Sequence, residues 1–479
     1  MDFKNKKVTV MGLGLHSGGV ATVLWLVKHG AQVTVTDLKT KKELEPSLKK
    51  LFIKRSSDQA IKLVLGHHRE IDFKKADLVI QNPGVPKQSK YLILAKKLNI
   101  PIENEASLFF KNCPAKIIGV TGTRGKSTTA SLIYELLRRR DVDVLPAAKA
   151  WLAGLPQKPM LGVLDKIKSK DAVVLELSSW QLEVLSAHKL SPNIAVMTNI
   201  YPDHLNRHAG MPAYIEAKKN IFSFQTQSDF VVLNYDNQET KKIGQEVRSR
   251  RFWFSQKYFP EENGCFVKKN KIIFRRDGAE NVLADIKDIK LKGDHNLENV
   301  LAALTVTGIS DLSNSKIKSA LKKFSGLPGR MELIKEIKGV KYINDTASTI
   351  PEAAISALNA LGTPRLGPRA KNIVLIAGGS SKNIPDAGYY RLAELIKQKV
   401  KAVILFSGQG SDQVLKQLKE IKYQAIVSEI SKMSDAIGIA QSYAKKGDII
   451  LLSPACASFG LFSNEFDRGD QFRQVIGKL

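Results

Sequence analysis

The sequence predicts an α/β protein of three domains, each built around a mainly parallel sheet. Its 479 residues are more than one hydrophobic core usually organises, and 43% of them are hydrophobic, an ordinary share for a globular chain. Short apolar runs typical of strands alternate with stretches of helical spacing, which is the pattern of parallel sheets. Shifts in composition place the expected domains at residues 1–112, 113–326 and 327–479.

The first domain begins as a strand, a glycine turn and a helix. KKVTVMGLGLHSGG leads into VATVLWLVKHG, and the strand AQVTVTD then ends at Asp37. The arrangement is close to the dinucleotide-binding fingerprint, although Ser17 stands where the third glycine belongs and Gly18 follows it. Another strand, ADLVIQNPGVP, ends in a turn at Pro83–Gly84. Because ligands bind where such strands end, we predict a Rossmann-like domain with a nucleotide diphosphate site; the alternative is a Rossmann-like fold with a structural role only.

The central domain opens with the most informative stretch of the chain, AKIIGVTGTRGKSTTASLIYELLRRR. An apolar strand runs into a loop with Gly122 and Gly125, and a helix starts near Lys126 and Ser127. In such a loop backbone N–H groups close on a polyphosphate, the lysine reaches the outer phosphates and the serine ligates Mg²⁺. Val120 stands where the regular pattern has its first glycine. We predict a P-loop nucleoside triphosphate site on a parallel sheet; the alternative is a chance loop.

The rest of the chain repeats the alternation of strands and helices. DAVVLEL, NIAVMTNI and FVVLN extend the central sheet, and the less regular, basic stretch 237–288 is a candidate for a hairpin. In the third domain VKYINDTA, NIVLIAGG, KAVILFSG and GDIILLSPA are apolar strands separated by helical stretches. This pattern predicts a second Rossmann-like, doubly wound sheet at the carboxy terminus.

Charge and cysteine content argue against several functional classes. The formal net charge is +28, but the lysines are scattered and form no basic tail or zinc-finger spacing, so we expect no nucleic-acid partner. A lysine-rich proteome or attraction of anionic substrates accounts for the charge as well. Three cysteines are too few for a disulfide framework. No apolar run reaches the length of a membrane span and no signal peptide precedes the first strand, so we expect a cytoplasmic protein.

Four further motifs carry polar residues at predicted strand ends, loops or helix starts, where ligands of such sheets bind. Taken singly, each residue could have an ordinary structural role, as a charge exposed to solvent, a polar group that is hydrogen-bonded within the fold, or a surface lysine. The residues are Glu176 in LELSSWQLE, Asp203 and His204 in TNIYPDHLNRH, Lys218 in EAKKNIF, and His295, Asn296 and Asn299 in GDHNLENVLAA.

Together and in this order, the motifs resemble the signatures of the Mur ligase family of ATP-dependent amide-forming enzymes. GLPGRMELI, INDTASTIPEA, IAGGSSK and LLSPACASFGLF, with the short first domain, are most similar to the branch that adds D-glutamate to UDP-N-acetylmuramoyl-L-alanine. The resemblance covers essentially the whole chain. It implies a ligase of peptidoglycan precursor synthesis that works through an acyl phosphate. The alternatives are a related ligase for another acceptor, such as L-glutamate, a folyl-polyglutamate-type ligase, and a non-enzymatic nucleotide- or nucleic-acid-binding module.

The resemblance also implies three substrate sites and two magnesium ions, in a protein expected to act as a monomer. It assigns ATP to Gly122, Thr123, Arg124, Gly125, Lys126, Ser127, Thr128, Asn296, Asn299, Arg330 and Asp345. It assigns the uridine diphosphate substrate to Gly14, Leu15, His16, Ser17, Asp37, Leu38, Asn82 and Gly84. It assigns the amino acid to Thr349, Lys382, Ser458 and Phe459. It assigns the two Mg²⁺ to Ser127, Glu176, His204 and a carbamylated Lys218, and catalysis to Lys126, His204 and Lys218.

Several positions depart from the family pattern, all on the substrate side. The family's Gly-Asn-Ile-Gly loop has no counterpart in LPAAKAWLAGLP, residues 145–156. Gly329 stands where the family usually has histidine, Ala347 where lysine is common, Gly460 where it has aspartate, and Glu465 where an aromatic residue is common. The sequence therefore specifies the ATP chemistry more firmly than the amino acid, and D- and L-glutamate both remain open.

Overall fold

The computed structural model describes residues 2–15, 17–53, 60–86, 88–138, 148–155, 157–203, 208–260, 262–291, 293–310, 312–361, 371–382 and 384–479. The chain forms two compact units, one of Met1–Ile289 with Leu297–Lys323 and the other of Lys290–Asn296 with Phe324–Leu479. In the described residues, none of the helices combines the length and the apolar character needed to cross a bilayer.

The first sheet has five parallel strands in the order β3-β2-β1-β4-β5. The strand order reverses between β1 and β4, and in open α/β sheets the crevice at such a reversal is where ligands bind. The strands are β1 (Lys7–Met11), β2 (Gln32–Asp37), β3 (Ile61–Leu65), β4 (Leu78–Gln81) and β5 (Ile102–Glu103). The helices are α1 (Ser17–Lys28), α2 (Glu45–Ile53), α3 (Glu70–Lys74), α4 (Lys90–Lys97) and α5 (Glu105–Asn112). The predicted Rossmann-like topology is confirmed.

The second sheet has nine strands in the order β14-β13-β12-β11-β10-β9-β6-β8-β7. Its strands are β6 (Lys116–Thr121), β7 (Ala150–Ala153), β8 (Ala172–Glu176), β9 (Ile194–Met197), β10 (Phe230–Asn234), β11 (Arg250–Ser255), β12 (Gly264–Lys268), β13 (Lys271–Arg276) and β14 (Ala279–Asp285). Its helices are α6 (Lys126–Leu137), α7 (Ser179–Ala187), α8 (Gly210–Lys219), α9 (Gln238–Ile243), α10 (Asp294–Ile309) and α11 (Asn314–Lys323). Strands β6 to β12 pair in parallel with one another in this order. Strands β12, β13 and β14 form an antiparallel meander, which lies within the basic stretch where a hairpin was a candidate.

The third sheet lies in the carboxy-terminal unit and has six strands in the order β15-β16-β20-β17-β18-β19. All its strand pairs are parallel except β15 with β16, so the predicted doubly wound sheet is confirmed. The strands are β15 (Glu332–Ile337), β16 (Val340–Asn344), β17 (Ile373–Gly378), β18 (Val400–Phe406), β19 (Ile426–Ile430) and β20 (Ile449–Leu452). The helices are α12 (Pro351–Leu361), α13 (Asp386–Lys399), α14 (Gln409–Glu420), α15 (Met433–Tyr443) and α16 (Glu465–Gly477).

The first two sheets share one continuous hydrophobic core. Polar contacts reinforce that junction at the end of α1, where Trp25 Nε1 donates to Asp165 Oδ1 at 2.9 Å and Lys28 forms an ion pair with the same carboxylate. At a second contact between the two sheets, the buried Glu103 carboxylate faces Lys111 on one oxygen and His188 Nε2, at 3.0 Å, on the other. The strand-end loops of both sheets therefore belong to one compact unit.

Candidate functional site

The loop between β6 and α6 is shaped by two glycines. Gly122 has a φ of 146°, and Gly125, which caps α6, has a φ of 78°. A β-carbon on Gly122 would stand 1.9 Å from Thr198 Oγ1, and one on Gly125 would stand 2.0 Å from Asn299 Oδ1. Both positions therefore need glycine, for the backbone conformation and for the close approach of a neighbouring side chain.

Lys126 begins α6 and folds back over this loop. Its Nζ donates to the carbonyl oxygens of Gly122 and Thr123, both at 3.0 Å. Ser127 and Thr128 follow in the first helical turn and are buried. Loop amides, a lysine and hydroxyls thus meet at a helix N-terminus, which is the chemistry of a phosphate site.

The segment Thr198–Asn199, just after β9, braces the loop from one side. Asn199 Oδ1 accepts the N–H of Arg124 at 2.9 Å, and the Asn199 carbonyl accepts the N–H of Thr123 at 2.9 Å. Thr198 Oγ1 donates to the Arg124 carbonyl at 2.5 Å. The sequence analysis did not single out these two residues, because a polar pair after an apolar strand has no distinctive signature.

Glu176 ends β8 beside the same loop. The register pairs it with Val120 of β6, and a β-carbon on Gly154 would stand 2.3 Å from its carbonyl oxygen. Glu176 Oε2 is buried and has no hydrogen-bond donor within the described part of the chain. Because a buried carboxylate oxygen needs a positive partner, this atom suits a cation.

Lys218, on α8, is deeply buried, with 2% of its surface exposed. Its Nζ donates to the Gly122 carbonyl at 2.8 Å and lies 4.7 Å from the centre of the Tyr214 ring. Burial holds the pKa of Lys218 well below its ordinary value, and the Lys126 ammonium lowers it further, while Asp203 and Glu176 act in the opposite direction. An amine in this position is predisposed to the neutral form.

The Tyr214 hydroxyl lies 3.2 Å from Thr123 Oγ1, and burial raises the pKa of Tyr214. Tyr214 therefore keeps its proton and ties α8 to the loop. It is a third residue that the sequence analysis missed, and its only signal is its place one helical turn before Lys218.

The histidine predicted to bind metal, His204, lies outside the described residues. Four positions later, His208 is buried and its Nε2 lies 3.1 Å from Ser179 Oγ. Over the described ranges, no group of three or more His, Cys, Asp and Glu side chains is arranged to hold a metal ion. Glu176 and Lys218 are the predicted metal ligands that the structure places beside the loop, together with Ser127.

The remaining residues predicted to bind ATP divide between the two units. Asn299 belongs to the first unit, where its Oδ1 accepts the Thr129 hydroxyl at 3.2 Å and approaches Gly125. Asn296, Arg330 and Asp345 belong to the carboxy-terminal unit.

Asp345 is buried, and its carboxylate accepts hydrogen bonds from Ser348 Oγ, from Ser453 Oγ at 2.9 Å and from the Met331 N–H at 3.1 Å. Burial raises its pKa to about 6. These bonds join the loop of Asp345 to the loop after β20 and to the residue before β15.

The residues predicted to bind the uridine diphosphate substrate gather where the first sheet reverses its strand order. Asp37 Oδ2 accepts the N–H groups of Leu13, at 2.8 Å, and Gly14, at 3.1 Å. Asn82 Oδ1 accepts the Gly84 N–H at 3.1 Å, and a β-carbon on Gly14 would stand 3.7 Å from Asn82 Nδ2. The carboxylate thus fixes the glycine turn.

The flanking residues of this site differ in exposure. Leu38 is exposed, whereas Leu15 and Ser17 are half-buried. His16 lies outside the described residues. In the dinucleotide fingerprint the third glycine allows the helix to pack closely on the strand. Here Gly19 takes that role, because a β-carbon on it would stand 2.1 Å from the Leu13 carbonyl oxygen.

The residues predicted to bind the amino acid also converge, within the carboxy-terminal unit. Lys382 Nζ donates to Thr349 Oγ1 at 3.0 Å. Backbone hydrogen bonds between Ser380 and Ala457 join the loop after β17 to the loop after β20. That second loop carries the buried Ser458 and the exposed Phe459.

Behind these loops lies Arg468, a fully buried arginine that the sequence analysis missed because α16 reads as a polar helix. Its guanidinium donates to Thr346 O at 3.0 Å, Thr346 Oγ1 at 3.1 Å and Cys456 O at 3.3 Å. Burial lowers its pKa to about 10. The same Thr346 excludes a side chain at Gly329, where φ is 72° and a β-carbon would stand 2.8 Å from Thr346 Cγ2.

Comparisons with known proteins show which domains the chain contains. Three family domains match the chain in order: the N-terminal domain of MurD-like Mur ligases over residues 6–104, the Mur ligase middle domain over 120–307, and the glutamate ligase domain of Mur ligases over 329–456.

Two sequence relatives, both called UDP-N-acetylmuramoylalanine–D-glutamate ligase, match nearly the whole chain. The one from Roseiflexus sp. (strain RS-1) is 38% identical over 99% of this chain and 99% of its own. The one from Acetivibrio thermocellus is 34% identical over 99% of this chain and 97% of its own.

Solved structures share the fold at lower identity. A UDP-N-acetylmuramate-alanine ligase from Thermotoga maritima superposes with a TM-score of 0.61 at 18% identity, covering 99% of this chain and 100% of its own. A pseudomurein peptide ligase type C from Methanothermus fervidus has a TM-score of 0.56 at 21% identity, with the same coverage. The strand-end loops, the three matched domains and the full-length relatives lead to one conclusion: the chain belongs to the Mur ligase family.

Proposed function

We propose that this protein is the ATP-dependent ligase that joins D-glutamate to UDP-N-acetylmuramoyl-L-alanine in peptidoglycan precursor synthesis. The observation that carries the proposal is the cluster at Gly122, whose carbonyl oxygen accepts hydrogen bonds from both Lys126 and the buried Lys218. The choice of substrates rests on the relatives named above, whose names state both D-glutamate and the uridine nucleotide. The carboxylate of the nucleotide substrate would be phosphorylated by ATP, and the amine of the amino acid would then displace phosphate.

The residues around the loop fit Mg²⁺. Ser127 supplies a hydroxyl at the start of α6, and Glu176 supplies a buried carboxylate oxygen that has no donor among the described residues. We assign Mg²⁺ to Ser127, Glu176 and a carbamylated Lys218, with His204 as the further ligand named by resemblance, and we propose two ions. Bound Mg²⁺ would neutralise the charge that develops on the transferred phosphate.

We propose that Lys218 carries the carbamate. Its depressed pKa favours the neutral amine, which is the form that adds to CO₂; a bond forms between Nζ and carbon, and one proton is released. The product is an anion, which would hold a cation that an ammonium would repel. Lys126 would remain an ammonium directed at the ATP phosphates, and the loop from Gly122 to Thr128 would hold them at the N-terminus of α6.

We further propose that each of the three domains holds one substrate. Residues 1–112 would bind the uridine diphosphate through the glycine turn and Asn82, and residues 113–326 would bind ATP. Residues 327–479 would bind the amino acid through Lys382 and Thr349, since an ammonium beside a hydroxyl is suited to a carboxylate. We expect a monomer that works in the cytoplasm, where ATP and nucleotide-activated sugars are available, without a nucleic-acid partner.

The decisive test is Mg²⁺-dependent phosphate release from ATP and UDP-N-acetylmuramoyl-L-alanine with D-glutamate, L-glutamate or no amino acid. We expect turnover with D-glutamate only, and loss of that turnover in Lys126→Ala with an unchanged circular dichroism spectrum. Turnover with L-glutamate, or with neither, would overturn the assigned acceptor and point to Ala347, Gly460 and Glu465 as marks of another specificity.

The carbamate has its own test. Lys218→Ala should lose activity, and added short-chain carboxylate should restore part of it, because a free carboxylate can occupy the place of the carbamate. A fully active alanine variant, together with a wild type indifferent to bicarbonate, would contradict the modification.

A further inference from the structure

The carboxyl group of Glu105 joins the first domain to the central one at the predicted nucleotide site. Glu105 is the first residue of α5 and is partly buried. Its Oε1 accepts the N–H of Leu161 at 3.3 Å, and the Met160 N–H also bonds to the carboxyl. Its Oε2 lies 3.0 Å from the point where a β-carbon on Gly18 would stand. One side chain therefore touches α5, the 157–161 segment and the first turn of α1.

This contact gives Gly18, which follows Ser17 in the departure from the dinucleotide fingerprint, a close polar neighbour. Gly19 lacks a side chain because α1 packs against the Leu13 carbonyl oxygen. Gly18, in contrast, faces the carboxyl of Glu105, which is the one residue in the described part of the chain that a β-carbon there would meet within 4 Å. The glycine turn thus leaves room for an acidic group at the helix terminus where the diphosphate is proposed to bind.

An anionic carboxylate at this place would compete with a diphosphate. Both are attracted by the partial positive charge of the α1 N-terminus, and they repel each other at short range. Burial raises the pKa of Glu105 to about 7, while the N–H groups of Leu161 and Met160 act in the opposite direction. The group therefore changes its charge near neutral pH.

The charged groups on the elements packed around Glu105 have other described partners. On the 157–161 segment Lys158 lies over the Tyr134 ring, 5.6 Å from its centre. On α5 Lys111 forms its ion pair with Glu103. In the first turn of α1, Ser17, Gly18 and Gly19 carry no ionisable group, and Asp37 accepts hydrogen bonds from Leu13 and Gly14; His16 is outside the described residues.

We propose that Glu105 is a positioning residue for the uridine diphosphate substrate, and that it takes up a proton when the diphosphate binds at the first turn of α1. The neutral carboxyl keeps its contact with the Leu161 segment and removes the repulsion. This inference rests on the proposed function, since it requires the uridine nucleotide at this strand-end crevice.

The test is calorimetric titration of the full chain with UDP-N-acetylmuramoyl-L-alanine from about pH 6 to about pH 8.5. The diphosphate of this ligand is a diester and does not titrate in that range, so a pH dependence belongs to the protein. We expect affinity to fall above about pH 7, approaching about tenfold per pH unit, with proton uptake detected by comparing buffers of different ionisation enthalpy. In Glu105→Gln, which is permanently neutral, affinity should be high and independent of pH.

Asp165→Asn is the matched control, because Asp165 is the carboxylate at the other end of α1 and its pKa is lowered. It should keep the wild-type pH slope. An unchanged slope in Glu105→Gln, or a flat wild-type profile, would overturn the role of Glu105 while leaving the nucleotide site intact. Absence of binding by every variant at every pH would instead overturn the nucleotide site itself, and the inference with it.

Discussion

The Asn199 side chain should control how tightly the P-loop binds ATP. Its Oδ1 accepts the Arg124 N–H at 2.9 Å, in the middle of the loop that carries Gly122 and Gly125. Asn199→Ala removes that acceptor and with it one of the bonds that hold the loop in the conformation proposed to bind phosphates. The loop would then have to be ordered by the nucleotide itself, and the cost would appear in the affinity for ATP.

The size of the effect follows from the contacts that remain. Leaving a buried N–H without its partner costs about 1–3 kcal/mol. The Arg124 carbonyl keeps its bond from Thr198 Oγ1, and Thr123 keeps its bond to the Asn199 backbone, so the lower half of that range applies. About 1–2 kcal/mol corresponds to a rise in KM for ATP of roughly 5- to 30-fold.

The assay is Mg²⁺-dependent phosphate release at varied ATP with the other substrates saturating, alongside a thermal melt. Asn199→Asp keeps the acceptor but adds a negative charge, so it should melt like the wild type and still raise KM. Asn314→Ala is the control, because this exposed asparagine donates to Val282 O at 2.8 Å in the same unit. A wild-type KM for ATP in Asn199→Ala would refute the bracing role.

Three further changes test other parts of the structure. Gly122→Ala should abolish turnover and lower Tm, because its β-carbon would stand 1.9 Å from Thr198 Oγ1; wild-type turnover would mean that the loop yields easily. Lys382→Ala should raise KM for the amino acid by roughly 10- to 100-fold, through loss of about 1.5–3 kcal/mol of charged hydrogen bonding, with KM for ATP unchanged in the same assay. Burial raises the pKa of Asp345 to about 6, so this carboxyl binds a proton more tightly in the folded chain than in the unfolded chain. The stability that this difference adds is complete at pH values below the pKa of Asp345 in the unfolded chain, and it is lost as the pH rises through about 6. The Tm of Asp345→Asn, followed by scanning fluorimetry, should lack this component, and parallel profiles for the two proteins would contradict it.

Local patterns in the sequence were sufficient to predict the sheets and the loops at their ends. The apolar run before Gly122 and the helical spacing after Lys126 are properties of neighbouring residues, and the structure has β6 and α6 there. The position of Asp37 at the end of a strand was predictable for the same reason, since it follows a run in which valine alternates with polar residues. These features depend on periodicity and turn chemistry, which one chain reveals by itself.

Features that depend on distant partners could not be predicted. The bracing by Asn199 requires β9 to lie beside β6, and nothing in the letters TNI specifies that neighbour. Lys218 taken alone read as a surface residue, whereas the packing of α8 leaves it 2% exposed. Arg468 is fully buried in a helix of mostly polar composition. In each case the surroundings of the side chain are set by residues distant in the sequence, and the neighbouring residues in the chain do not reveal them.

The attachment of α1 at both of its ends bears on how the protein unfolds. Asp165 accepts a hydrogen bond from Trp25 near the end of the helix, and the Glu105 carboxyl lies close to Gly18 at its beginning. The core of the first sheet is also continuous with that of the second. We therefore expect the amino-terminal Rossmann-like sheet and the P-loop sheet to unfold together in one cooperative transition, so that a defect in either sheet would lower the stability of both.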